Sequence, residues 1–148
     1  MQLTQRTDFG LRLLIALARR GEGFVSLPSF ATEQGLSYNH VTKVAQALVR
    51  AGLLVSHRGR SGGVSLARPT DDIALGDVVR ALEPGMRLAD CAGCALRSDC
   101  VTSNILADAL AAFLGVLDRT TLADAAKPGR PAFAPWAVAK AAGMDSGP

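Results

Sequence analysis

The sequence predicts a mainly α fold with one small β-hairpin, and three observations carry the prediction. Two short helical segments flank a glycine turn at Gly35, strand-like alternation lies on both sides of Gly59–Gly63, and a strongly apolar stretch with helical spacing follows Thr102. Helix, turn, helix and hairpin in that order describe a winged helix-turn-helix domain, here followed by a long helix suited to dimerisation.

Each element has its own local signal. Phe9, Leu13, Leu14, Leu17 and Ala18 recur at three- and four-residue intervals, giving a first helix from about Asp8 to Arg20, with Thr7 and Asp8 at its first turn and Gly21 as its stop. Leu27 to Gly35 forms a short helix with Pro28 in its first turn and Gly35 just past its end. Ser37 is placed to cap a third helix, Tyr38 to Arg50, closed by Gly52. One stripe of that helix is apolar (Val41, Val44, Ala45, Leu48, Val49), and the opposite face carries Asn39, Lys43, Gln46 and Arg50. Leu53 to Arg58 and Val64 to Arg68 pair across a glycine-rich basic tip. Because no Gly-Lys-Ser/Thr follows and no helix opens after it, the tip is not a phosphate-binding loop of the nucleotide-hydrolase kind. Ile73 to Glu83 is a further amphipathic helix ended by Pro84-Gly85, and all three cysteines then fall in the loop CAGCALRSDC, Cys91 to Cys100.

From Thr102 the chain is helical again, with Ile105, Leu106, Ala109, Leu110, Phe113, Leu114 and Leu117 on an apolar side that the small winged domain has little surface to cover, so a subunit interface is the favoured partner. The organisation is therefore a DNA-binding domain over 1–84, a cysteine loop over 85–101, a dimerisation helix and return over 102–126, and a disordered Ala/Gly/Pro-rich tail over 127–148.

A chain of 148 residues is about one domain long. Its net charge of +3 is modest, but no Asp or Glu occurs from Gln34 to Thr70, where Lys43, Arg50, Arg58, Arg60, Arg68 and both histidines lie; such a segment is an electrostatic footprint for a polyanion. Charges at Arg6, Asp8 and Arg12 and the lack of a cleavage site argue against an export signal. Ile105 to Leu117 is interrupted by Asp108 and falls short of the roughly 20 residues a bilayer requires. A cytoplasmic protein with no membrane partner is expected, and there clustered cysteines stay reduced. No paired carboxylates, nucleophile with base, or cofactor loop supports an enzyme.

Three cysteines in one polar loop do not look like core packing, and the chain lacks the βαβ pattern of a thioredoxin-like motif. Structural zinc would need a fourth ligand such as Asp90, Asp99 or a distant residue; an iron–sulphur cluster tolerates a non-cysteine ligand at one iron. Spacing leaves the two equally open.

The combination Leu3-Thr4, Thr7-Asp8-Phe9-Gly10-Leu11-Arg12, Ser37-x-Asn39-His40-x-x-Lys43, Arg58-Gly59-Arg60-x-Gly62-Gly63-x-x-Leu66, the three-cysteine loop and Thr121-Leu122-Ala123-Asp124 resembles the NsrR repressors. These are nitric-oxide-sensing members of the iron–sulphur winged-helix regulators that also include the IscR and RirA groups. The resemblance covers about residues 1–126. It implies a homodimer, a [4Fe-4S] cluster held by Cys91, Cys94 and Cys100, with [2Fe-2S] as the alternative cluster type, and a fourth ligand from Asp8 of the opposite subunit. It also implies that nitric oxide releases the DNA. Only two residues separate Cys91 from Cys94, fewer than the family pattern, and the histidine that the IscR group places after the second cysteine is absent. An iron- or redox-responsive regulator of the RirA kind and a winged-helix protein with structural zinc are the alternatives.

In a winged helix the segment beginning at Ser37 enters the major groove. Tyr38, Asn39 and His40 are placed for base edges or adjacent phosphates, Lys43 and Arg50 for phosphates, and Arg58 and Arg60 for the neighbouring groove or backbone. A symmetric dimer implies a palindromic double-stranded operator.

Overall fold

The computed structural model describes residues 2–21, 23–59, 62–96 and 98–129. The elements are α1 (Gln5–Arg20), α2 (Leu27–Gln34), α3 (Tyr38–Arg50), β1 (Leu54–His57), β2 (Gly63–Leu66), a 3-10 turn at Thr70–Asp72, α4 (Leu75–Leu82), α5 (Val101–Asp118) and α6 (Leu122–Ala126). This is the mainly helical, hairpin-bearing architecture the sequence predicts, and the differences lie where distant parts of the chain decide local structure. The tail expected to be disordered lies outside the described residues from position 130 onward.

The turn between α2 and α3 follows local rules. Gly35 adopts a left-handed conformation (φ 63°, ψ 35°), and its N–H donates to the carbonyls of Ala31 and Thr32. Only a residue without Cβ takes that conformation at little cost. The chain thereby reverses so that Ser37 opens α3. α3 packs against α1 on one side and α2 on another, in a core built from Leu13, Leu14, Leu17, Phe30, Val41, Val44 and Leu48.

The hairpin is shorter than its alternation implies: Leu54 to His57 pair antiparallel with Leu66 to Gly63. Val25, just before α2, adds a single bridge to Val64 through hydrogen bonds of 2.8 and 3.0 Å. The wing is thus pinned to the helical core at its inner edge.

Two helix starts depart from the sequence reading. α1 begins at Gln5, three residues ahead of Asp8, because a carboxylate from the far end of α4 caps it. α4 begins at Leu75 because Ile73 and Ala74 are extended: Ala74 forms a bridge with Thr121, Leu122 N–H donates to the Ile73 carbonyl (2.8 Å), and Leu75 N–H donates to that of Thr120 (2.9 Å). The apolar character of Ile73 therefore serves core burial, not helical periodicity.

α6 returns to the winged domain. Leu122 is fully buried within the main core, and Thr121 and Asp124 close a reciprocal capping box at its start. α5 contrasts with every other long helix, since none of its residues is buried and Val101, Ile105 and Val116 are exposed. Its 18 residues exceed the 13 of Ile105–Leu117, and it is the one helix among the described residues long and apolar enough, by length and composition, to cross a membrane.

Candidate nucleic-acid interface and cysteine loop

Ser37 stands at the N-cap of α3 with no side-chain capping bond, leaving its hydroxyl available to an outside partner. Tyr38, Asn39, His40, Lys43 and Arg50 are all exposed along α3, with Val41, Val44, Ala45 and Leu48 buried behind them. The hydroxyl of Thr42 donates back to the Tyr38 carbonyl at 2.9 Å. Arg58 is exposed at the end of β1, and Arg60 lies outside the described residues.

Two grooves flank α3. On one side a cleft of about 230 Å³ is lined by Gln5, Arg6 and Phe9 of α1 and by His40, Lys43 and Val44. On the other side a groove of about 310 Å³ runs towards the wing, lined among others by Thr42, Gln46, Arg50 and Ser56. The charged face read from the sequence is thus split between a side facing α1 and a side facing the hairpin. Arg6 was not among the expected contacts, because its one signal is position: it precedes the acid-free window and joins it only in the folded chain.

Asp8 sits in the first half of α1, half-exposed, ion-paired with Arg12 one turn on (2.7 Å). One turn earlier, Glu83 at the C-terminal cap of α4 accepts three hydrogen bonds through a single oxygen: from Thr4 N–H (2.7 Å), the Thr4 hydroxyl (2.8 Å) and the Thr7 hydroxyl (2.6 Å). Among the described residues Thr7 is the one buried polar side chain. Desolvation pushes the Glu83 carboxyl up, but the hydrogen bonds from Thr7 and Thr4, aided by Arg6, outweigh it and hold the group below its ordinary value. Sequence reasoning missed Glu83, since nothing local says which acid among thirteen caps a helix nearly eighty residues away.

The cysteine loop leaves directly from this junction. All three cysteines are unpaired; Cys91 and Cys100 are partly exposed and Cys94 fully so. Cys100 occupies the N-cap position of α5, its carbonyl accepting from the Ser103 hydroxyl at 2.7 Å. Three accessible thiols suit the chemistry of an iron–sulphur group, which is held by thiolates, and equally that of zinc. Among the described residues of a single protomer, no group of three His, Cys, Asp or Glu side chains is gathered closely enough to hold a metal ion.

Residues 3–128 match the Rrf2 family, described as iron-dependent transcriptional regulators. Solved structures similar to this chain include the oxidised form of CymR from Staphylococcus aureus, at 33% identity over 88% of this chain and 99% of that one, with a TM-score of 0.71. CymR of B. subtilis, described as its global cysteine regulator, is 33% identical over 85% of this chain and 96% of that one, with a TM-score of 0.67. T. potens IscR is 32% identical, covering 88% of this chain and 93% of that one, with a TM-score of 0.68.

Proposed function

The chain belongs to the Rrf2 family of transcriptional regulators, DNA-binding proteins that are typically dimeric, and from that premise we propose that it is a cytoplasmic, homodimeric repressor that senses nitric oxide. One observation carries the finer reading: three unpaired, accessible cysteines share one loop that joins the Glu83 junction to the uncovered helix α5. Cys91, Cys94 and Cys100 would hold a [4Fe-4S] cluster, with Asp8 of the partner subunit as fourth ligand. Such a group supplies an iron open to small molecules. The protein's own part is to present the α3 face and the wing to a palindromic operator, through Ser37, Tyr38, Asn39, His40, Lys43, Arg50, Arg58 and Arg60. Nitric oxide is the effector that releases the DNA.

A second reading draws on the family description as iron-dependent: the same loop responds to iron supply, as in the RirA kind, and occupancy itself is the signal. Anaerobic purification followed by absorbance and operator-fragment binding separates the readings. The first expects a brown protein whose DNA binding is lost on adding nitric oxide; the second expects binding that follows iron chelation and ignores nitric oxide. A colourless, zinc-containing protein would defeat both. In the same preparation Asp8→Ala should destabilise the cluster more than Asp99→Ala, and the opposite order would put the fourth ligand inside the loop.

A further inference from the structure

We propose that the cleft between α1 and α3 seats a backbone phosphate of the DNA, that Arg6 is an additional DNA-contacting residue there, and that His40 and Lys43 act in that seat and not as base readers. The inference rests on the DNA-binding reading and divides its contacts into two kinds.

The composition of the cleft comes first. Its floor is Phe9 and Val44, which offer no polar atom to a base edge but a good surface for deoxyribose; its rim is Gln5, Arg6, His40 and Lys43, all hydrogen-bond donors. The charges come second. Among the described residues no carboxylate lies within ion-pair distance of Arg6, His40 or Lys43, although Arg6 is near enough to Glu83 to favour its charged form. Two permanent cations and an imidazole around one small cleft make a favourable setting for an anion. Helical phase comes third. His40, Lys43 and Val44 follow i, i+3, i+4 spacing, which turns that strip of α3 towards α1. Thr42, Gln46 and Arg50 line the groove on the wing side. Asn39, exposed and lining neither groove, marks the outward strip between them, and amide side chains are the ones that pair with adenine edges. When that strip meets base edges, the α1 cleft lies against the flanking backbone.

The test uses the full-length protein, the duplex it selects from a random-sequence library and a scrambled duplex of equal length, titrated over a range of salt. Arg6→Ala and Lys43→Ala should each lower the slope of log affinity against log salt by about one, and weaken both duplexes by the same factor. Asn39→Ala should instead shrink the selected-to-scrambled ratio by about tenfold or more. Arg6→Ala with wild-type slope and affinity, or Lys43→Ala with a reduced ratio, would overturn the proposal. Saturable binding of a free nucleoside monophosphate that Arg6→Ala abolishes, with the salt slope unmoved, would assign the cleft to a soluble effector and overturn it as well. A wild-type protein that binds neither duplex would sink the DNA-binding reading itself, a result seen before any variant is compared.

Discussion

Glu83 holds the N-terminus of α1 from the opposite end of the winged domain, and its single oxygen serves a backbone N–H and two hydroxyls at once. Replacing it by Ala leaves the buried Thr7 hydroxyl without a partner, which should cost about 1–3 kcal/mol. The pH dependence follows from the lowered native carboxyl. The contribution is complete above the ordinary Glu value of about 4.3 and is lost as the pH falls through the depressed native one. Melting temperatures measured from neutral to acid pH should therefore fall more steeply for the wild type than for Glu83→Gln, and parallel curves would show that the charge is irrelevant. Asp124 is drawn down to about 2, chiefly by Lys127 and then by Thr121, so the α6 cap outlasts mild acid. At this scale the sequence was most legible where a residue acts on its own neighbours, as Gly35 does. It was silent where Glu83 and Arg6 act across the fold, because the partners of an exposed charge are not written near it.

Helix α5 packs against α4. Arg80 of α4 grips Asp118 with both guanidinium nitrogens, and Gly76, buried beneath them, leaves the room for that grip: a Cβ there would collide with the Asp118 carboxylate. Gly to Ala within a helix ordinarily stabilises by about 0.5–1 kcal/mol. Gly76→Ala should do the reverse, lowering the urea midpoint, and the ordinary gain should reappear when the change is made in Asp118→Ala protein. A midpoint raised by Gly76→Ala alone would show that the pair simply moves aside. α2 and α3 were legible to the residue because proline, glycine and apolar spacing all agree there. The start of α4 was not, because extended and helical backbone can both bury Ile73, and the pairing with Thr121 that chooses between them arrives from nearly fifty residues later.

Across the whole molecule, the apolar α5 is the exposed surface most in need of a partner, and under the proposed function a second copy of the chain covers it. Ile105→Glu should convert the dimer to a monomer in analytical ultracentrifugation while leaving the winged domain folded by circular dichroism; an unchanged sedimentation coefficient would place the interface elsewhere. The α6 return bears on how the protein comes into being. Leu122 completes a core whose other members all lie before residue 83, and it reaches them only after the cysteine loop and α5 have been synthesised. The winged domain therefore gains its last core residue late, and a chain cut short before α6 should be less stable than the full protein by about the 2–5 kcal/mol of a truncated buried leucine, read as a lowered urea midpoint.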